Sequence, residues 1–125
     1  MEKTGRQKYI IWIFAGFLLL GLVVFGWRQF YGFNKNDEIF YISTVYRFFQ
    51  GDAMLIDEWN NGQLFAFITY PVFCLVRLFH HSNDGIVLIF RLLYLAFQTV
   101  VSTYCFVRLK RFGWIRIFPA LFYFV

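Results

Sequence analysis

Two long apolar stretches constrain this chain more than any other feature of its sequence. Residues 9–27 carry no charged side chain, and residues 86–107 carry a single one, Arg91. At about 1.5 Å per helical residue, these lengths match the roughly 30 Å hydrocarbon core of a bilayer. Hydrophobic residues make up 60% of the chain, more than a soluble domain of this length carries. The sequence therefore predicts an integral membrane protein with an all-α, polytopic fold.

Basic residues flanking the two stretches predict how the chain crosses the membrane. Lys3, Arg6 and Lys8 precede the first stretch, and four more follow the second: Arg108, Lys110, Arg111 and Arg116. Because basic residues favour the cytoplasmic side, we expect a cytoplasmic N-terminus, an outer loop over 28–85 and a cytoplasmic turn over 108–116, in the plasma (cytoplasmic) membrane. A cleaved signal peptide is the alternative for the first stretch, but Phe25-Gly26-Trp27-Arg28 offers no small-x-small cleavage site.

Two shorter apolar stretches complete the pattern. Leu64 to Phe79 covers only about 24 Å as a helix and contains Pro71. A crossing there would move residues 108–116 outside, so we predict a helix over about 63–79 at the outer interface or re-entering shallowly, with a full span as the alternative. Residues 117–125 cover about 14 Å. They are predicted to begin a further span, which would make residues 1–125 a truncated N-terminal part of one membrane domain.

The first half of the outer loop predicts an amphipathic helix over about 37–50. Asn36 suits a helix N-cap, with Asp37 and Glu38 in the first turn. Gly51 is a C-terminal stop, and the apolar residues between recur at helical spacing: Ile39, Ile42, Val45, Tyr46 and Phe49. Together with 63–79, this segment predicts two juxtamembrane helices in the first outer loop.

Acidic pairs are the first candidate functional residues. Asp37 and Glu38 either cap the helix or place a general base at the water–lipid boundary. Asp57 and Glu58, in a polar segment, are either solvated turn residues or substrate contacts.

Two arginines and two histidines are the other candidates. Arg91, about 8 Å inside its stretch, snorkels to headgroups, binds an anionic group or pairs with a loop acid. We expect Arg77 to be solvated. His80 and His81 lack further ligands, and Cys74 and Cys105 show no metal or redox spacing. No metal or other cofactor is predicted.

The order of these features resembles the N-terminal region of GT-C superfamily glycosyltransferases, in particular those similar to protein O-mannosyltransferases and the lipid A aminoarabinose transferase. The matching motifs are short and extend over nearly the whole chain: Asn36-Asp37-Glu38-Ile39-Phe40-Tyr41, Arg47-Phe48-Phe49-Gln50-Gly51-Asp52, Asp57-Glu58-Trp59, Phe90-Arg91-Leu92-Leu93 and Arg108-Leu109-Lys110-Arg111-Phe112-Gly113. Many relatives have a His/Lys-Pro-Pro run where this chain has Asn60-Asn61-Gly62-Gln63.

The resemblance implies transfer of a sugar from a polyprenyl-phosphate donor to an acceptor outside the membrane. Asp37 would match the general base for the acceptor hydroxyl, with Glu38 helping to hold it in place. Arg91 would match the arginine near the lipid-phosphate leaving group, and Asp57 and Glu58 are further candidate substrate contacts. The expected partners are the bilayer and the lipid-linked donor, not nucleic acid. The sequence identifies neither sugar nor acceptor, and we expect no activity from the 125 residues alone.

A non-catalytic multispanning protein is the alternative from a different functional class. A transporter subunit or a cell-envelope scaffold would use the same apolar stretches, with Asp37 and Glu38 serving only as helix caps.

Overall fold

The computed structural model describes the backbone of residues 2–31, 38–53, 56–57 and 63–122. Side chains are described over the same ranges, except for residues 2–6 and 38. Within these ranges every regular element is helical, which confirms the predicted all-α class. The helices are α1 (Glu2–Arg28), α2 (Glu38–Gln50), α3 (Gln63–Phe79), α4 (Ile86–Arg108) and α5 (Ile117–Phe122), with a 3₁₀ segment at Lys110–Arg116.

Two of these helices are long and apolar enough to cross a membrane. They are Gln7–Arg28 within α1 and Ile86–Arg108, which is α4. Only 11% and 17% of their most apolar windows are buried inside the protein, whereas the core helix of a soluble domain would be mostly buried. The two candidate spans coincide with the two long apolar stretches of the sequence. The α3 helix is shorter than either span, at 17 residues.

The chain divides into two compact units. Residues 1–32 and 88–125 form the first, which we call the hairpin unit, and residues 33–87 form the second, the loop unit. The limits of the loop unit lie close to those of the predicted outer loop, 28–85.

In the hairpin unit, α1 and α4 pack side by side and run in opposite directions. Phe14 of α1 stacks on Phe106 of α4, with ring centroids 3.9 Å apart and planes inclined by 5°. Farther along α1, Gly26 lies beside Leu95 of α4: a Cβ at position 26 would be 3.9 Å from Leu95 Cδ2. Since the partner in α4 moves backwards as α1 advances, the pair is antiparallel. The basic start of α1 and the basic end of α4 therefore lie at the same end of this unit.

A small apolar cluster closes that end of the hairpin unit. The chain changes direction between α4 and α5 at Gly113. The φ angle of Gly113 is 57°, a backbone conformation that favours glycine. The Ser102 hydroxyl of α4 donates a hydrogen bond to the Ala120 carbonyl oxygen of α5 at 2.7 Å. The buried side chains of the cluster come from α1, α4 and α5: Ile10, Phe14, Phe106, Ile117 and Ala120.

In the loop unit, α2 and α3 lie side by side and run in the same direction. Tyr41 near the start of α2 contacts Phe65 near the start of α3, with ring centroids 5.2 Å apart. Phe49 near the end of α2 contacts Phe73, farther along α3, at 5.6 Å. The offset along the chain is the same in both pairs, which requires a parallel arrangement. Val45, at 2% exposure, and the fully buried Ala66 and Phe73 are the apolar core residues of these two helices.

A Schellman motif ends α2 at the glycine that the sequence identifies. Gly51 has φ 109°, and its N–H donates to the Phe48 carbonyl while the Asp52 N–H donates to the Arg47 carbonyl, both at 3.1 Å. This is the 5→2 and 6→1 pattern of the motif. Arg47 Nε also forms an ion pair with Asp52 Oδ2 at 2.6 Å, which joins the last turn of α2 to the residue after the glycine.

Candidate functional site

One residue of the predicted catalytic pair, Glu38, is the first residue of α2. Asp37 and Glu58 are outside the described residues, and Glu38 is described only as the first backbone position of α2. The general-base role of Asp37 and the supporting role of Glu38 therefore stay predictions. What the structure adds is that Glu38 is the first residue of α2, a position where negative charge interacts favourably with the helix dipole.

Arg91 forms a contact that the sequence did not suggest. It lies in the second turn of α4, is half-buried, and its Nη1 donates a hydrogen bond to the Gln29 carbonyl oxygen at 2.8 Å. Gln29 directly follows the last residue of α1, so the guanidinium group sits at the negative end of that helix. This contact draws the start of α4 to the end of α1, and it places a cation at the end of the hairpin unit opposite the basic clusters.

Asp57 takes part in a local turn. Its Oδ2 accepts a hydrogen bond from the Ala53 N–H at 2.7 Å, and its own N–H donates to the Ala53 carbonyl at 3.2 Å. The residue is exposed. These contacts agree with the interpretation of Asp57 as a solvated turn residue. The hypothesis that Asp57 contacts substrate stays a prediction.

Arg77 contradicts the expectation that it is solvated. It is only 9% exposed, and its guanidinium carbon lies within 6 Å of three ring centroids, at 5.2 Å from Tyr46, 5.8 Å from Phe49 and 5.5 Å from Phe73. The prediction was wrong because it used only the neighbours of Arg77 in sequence. Two of the three rings come from α2, and no local signal identifies them.

Hydrogen bonds fix Arg77 at the end of α3. Its Nη1 donates to the His81 carbonyl at 2.7 Å and to the Ser82 carbonyl at 3.0 Å, and its Nη2 donates to Asn83 Oδ1. The Asn83 amide in turn reaches the Tyr46 hydroxyl at 3.5 Å. The α3 C-terminus, the following turn and α2 are thus connected through one buried cation, whose Nε has no hydrogen-bond partner among the described residues.

An apolar groove of about 220 Å³ opens beside this cluster within the loop unit. Hydrocarbon side chains make up most of its walls, and the Ser43, Tyr46 and Asn83 side chains supply the polar groups: the apolar lining residues are Ile39, Ile42, Phe73, Ile86 and Val87. Neither Asp57 nor Arg91 lines it. An apolar surface of this kind suits a hydrocarbon chain better than a sugar.

Potential metal ligands do not cluster in the described part of the chain. No group of three or more His, Cys, Asp or Glu side chains there is arranged to hold a metal ion.

Comparison with known proteins adds no relative to this description. No family model, no curated protein sequence and no solved structure matches the chain.

Proposed function

We propose that this chain belongs to a membrane glycosyltransferase of the GT-C type, which transfers a sugar from a polyprenyl-phosphate donor to an extracytoplasmic acceptor. The single observation that supports this most is the position of Arg91. A cation capable of binding phosphate lies at the end of the α1–α4 pair opposite the basic clusters, in hydrogen-bond contact with Gln29.

The short covalent link from Gln29 supports placing the candidate acid on the same membrane face as that end. Asp37 follows Gln29 by eight residues, which reach at most about 28 Å when fully extended. Such a tether is shorter than the hydrocarbon core of roughly 30 Å, so it is too short to carry Asp37 to the opposite face. If α1 and α4 span the membrane, Asp37, Glu38 and Arg91 therefore share one face of it. With the basic clusters in the cytoplasm, that face is the outer one.

The proposed chemistry needs one base and one anion-binding group at the lipid boundary. A polyprenyl-phosphate donor keeps its phosphate at the headgroup level while its chain stays among the lipids. Asp37 would take the proton from the acceptor hydroxyl, with Glu38 holding it in place, as the hydroxyl oxygen attacks the anomeric carbon. The bond from that carbon to the phosphate oxygen breaks, and Arg91 would offset the charge on the departing lipid phosphate. Asp57 and Glu58 are proposed to contact the sugar or acceptor.

The test is sugar transfer by an Asp37→Asn variant of the full-length protein. We expect transfer from a polyprenyl-phosphate sugar in membranes to fall by a factor of about 10² or more, because general-base catalysis contributes about 10²–10⁴-fold. Asp52→Asn is the matched control, since Asp52 is an acid of the same unit whose carboxylate pairs with Arg47. Equal turnover by the Asp37→Asn variant and the parent, at equal membrane levels, would remove Asp37 from the mechanism.

A non-catalytic scaffold or transporter subunit is the second candidate, and a specific observation favours it. Arg91 contacts a backbone carbonyl and Asp57 a backbone N–H, the contacts expected of purely structural residues. Under this reading, Arg91→Lys would lower thermal stability without changing any binding of polyprenyl phosphate. Under the enzyme proposal, the same variant loses affinity for the lipid phosphate as well.

A further inference from the structure

A buried arginine, Arg116, lies at the end of the hairpin unit that the apolar cluster closes. It directly precedes α5 and is only 3% exposed. Its guanidinium carbon lies 4.0 Å from the ring centroid of Phe106, and Phe14 stacks on the same ring with centroids 3.9 Å apart. Because two groups this close to one centroid must occupy opposite faces of the ring, Phe14, Phe106 and Arg116 form a single stack.

Arg116 lacks the hydrogen bonds that stabilise the other buried arginine, Arg77. The Arg77 side chain donates to two backbone carbonyls, at 2.7 and 3.0 Å. Among the described residues, by contrast, no ion pair reaches Arg116, and its Nε has no hydrogen-bond partner. The Phe106 ring attracts the cation but does not replace the oxygen acceptors that its N–H groups have in water. A buried cation in this state is costly, so the guanidinium requires an anionic oxygen ligand.

The hairpin unit offers almost no anion of its own. Residues 1–32 and 88–125 contain nine basic residues and one acidic residue, Glu2. Glu2 opens α1, twelve residues and about 18 Å of helix before Phe14, the residue at the other side of the Arg116 stack. The ligand that completes the surroundings of Arg116 therefore comes from outside this unit.

Two further arginines near Arg116 are stacked on aromatic rings. The guanidinium carbon of Arg108 lies 5.9 Å from the Tyr104 ring centroid, and that of Arg111 lies 4.8 Å from the Phe112 ring centroid. Both arginines are exposed. A guanidinium group stacked through its face keeps its N–H edge available to a phosphate, which accepts two of these hydrogen bonds at once. The segment that follows α4 thus presents several phosphate-binding groups.

Exposed apolar side chains in the same segment identify the source of the phosphate. Trp114, Ile115 and Phe118 are 36%, 65% and 77% exposed. A soluble anion or a nucleic acid would leave these side chains in water. A phospholipid covers them with its acyl chains and holds its phosphate at the level of the neighbouring cations, where aromatic and basic residues of membrane proteins concentrate.

From these observations we propose that this end of the hairpin unit binds the phosphate of an anionic phospholipid. Arg116 is the central ligand, and the exposed Arg108, Lys110 and Arg111 attract the headgroup by charge. Basic pockets between membrane helices recognise acidic headgroups in this way. This inference does not depend on sugar transfer, because Arg91 lies at the opposite end of the same unit.

The test measures lipid binding by the full-length protein in dodecyl maltoside, through the midpoint of thermal unfolding. We expect dioleoylphosphatidylglycerol to raise the midpoint saturably, and dioleoylphosphatidylcholine at the same mole fraction to leave it unchanged. Arg116→Gln should raise the dissociation constant for phosphatidylglycerol about tenfold or more, because it removes charge-assisted hydrogen bonds to the phosphate. Arg28→Gln is the matched control: it removes an exposed arginine in the last turn of α1 and should leave that constant unchanged.

A second variant keeps the test decisive should Arg116→Gln not fold. The double variant Lys110→Gln with Arg111→Gln replaces only exposed side chains. It should weaken phosphatidylglycerol binding by about 10–30-fold, the loss expected for two cations near a headgroup. An unchanged dissociation constant in this variant, or in a folded Arg116→Gln variant, would overturn the proposal.

Other sources of the anion give different results. Equal stabilisation by the two lipids would show that the headgroup charge is not recognised, and would overturn the proposal. Stabilisation by inorganic phosphate equal to that by phosphatidylglycerol would assign the cations to a soluble anion instead. Pairing of Arg116 with Glu2 would make Glu2→Gln and Arg116→Gln lose the same thermal stability without lipid, and would also contradict the lipid site.

Discussion

At the scale of single residues, Arg77 shows how a cation is kept inside an apolar pair of helices. The parallel direction of α2 and α3 brings their C-terminal ends together. The guanidinium carbon of Arg77 lies 5.8 Å from the ring centroid of Phe49. Both ends carry partial negative charge from the helix dipole, and a cation there is favourable. Arg77 adds hydrogen bonds to two backbone carbonyls and contacts with three rings. We therefore assign it a structural role in the loop unit.

Replacing Arg77 with glutamine should destabilise the protein by about 1–3 kcal/mol, because it removes charge-assisted hydrogen bonds and the cation–π contacts. The measurement is the midpoint of thermal unfolding in detergent micelles. Arg47→Gln is the matched control: its ion pair with Asp52 is partly exposed, with side-chain exposures of 42% and 34%, and should contribute less than about 1 kcal/mol. A larger loss for Arg47→Gln than for Arg77→Gln would contradict the assigned role.

Residue contacts between distant parts of the chain were the least predictable feature of the sequence. Arg91 was expected to meet headgroups, a ligand or an acid, and it donates a hydrogen bond to a carbonyl oxygen 62 residues earlier. Backbone acceptors leave no mark on a sequence, since every residue carries one. For Arg77, the apolar positions 46 and 49 were identified as one helix face, but nothing in the pattern indicated which helix would cover them.

At the scale of elements, local signals identified where the helices begin and end. The α2 helix ends at Gln50, directly before the predicted stop at Gly51, and α4 begins at Ile86 and extends one residue past the predicted limit. The relative direction of α2 and α3 was not predictable, because the 12 residues from 51 to 62 are long enough to return the chain for a parallel pair or to reverse it. Only the ring contacts in the structure decide between these arrangements.

Gly51 gives a prediction at this scale. Gly51→Ala should destabilise the protein by about 1 kcal/mol, since φ 109° disfavours any side chain although no atom lies within 4 Å of the added Cβ. Gly16→Ala is the matched control, because it also meets open space but lies in the regular part of α1, where alanine is favoured by about 0.5–1 kcal/mol. Thermal unfolding of both variants should therefore shift in opposite directions, and shifts of the same sign would contradict the Schellman geometry.

At the scale of the whole molecule, the antiparallel α1–α4 pair determines which basic clusters lie together. Basic residues before the first apolar stretch and after the second were used to predict orientation, and the Phe14–Phe106 stack brings these two ends to one side of the hairpin unit. The two arguments are independent, since one rests on charge and the other on packing. The sequence could predict two crossings but not the register between them, which depends on contacts such as Gly26 with Leu95.

Cross-linking tests this register. In a background with Cys74→Ser and Cys105→Ser, Gly26→Cys with Leu95→Cys should be joined efficiently by a short bis-maleimide in native membranes. Gly26→Cys with Val107→Cys is the matched control, because position 107 lies about 18 Å farther along α4 and should not react. Efficient cross-linking of the 26–107 pair, or of both pairs equally, would contradict the antiparallel arrangement.

The most direct test of the account is the sidedness of the loop unit and of the segment after α4. Single cysteines at Ile56, which is 79% exposed in the loop unit, and at Lys110, which is exposed after α4, would be labelled in intact cells with a membrane-impermeant maleimide. The account predicts labelling at position 56 in intact cells, and at position 110 only after permeabilisation. Labelling of position 110 from outside, or of position 56 only after permeabilisation, would place Asp37 and Arg91 on the wrong face and contradict the proposed sugar transfer.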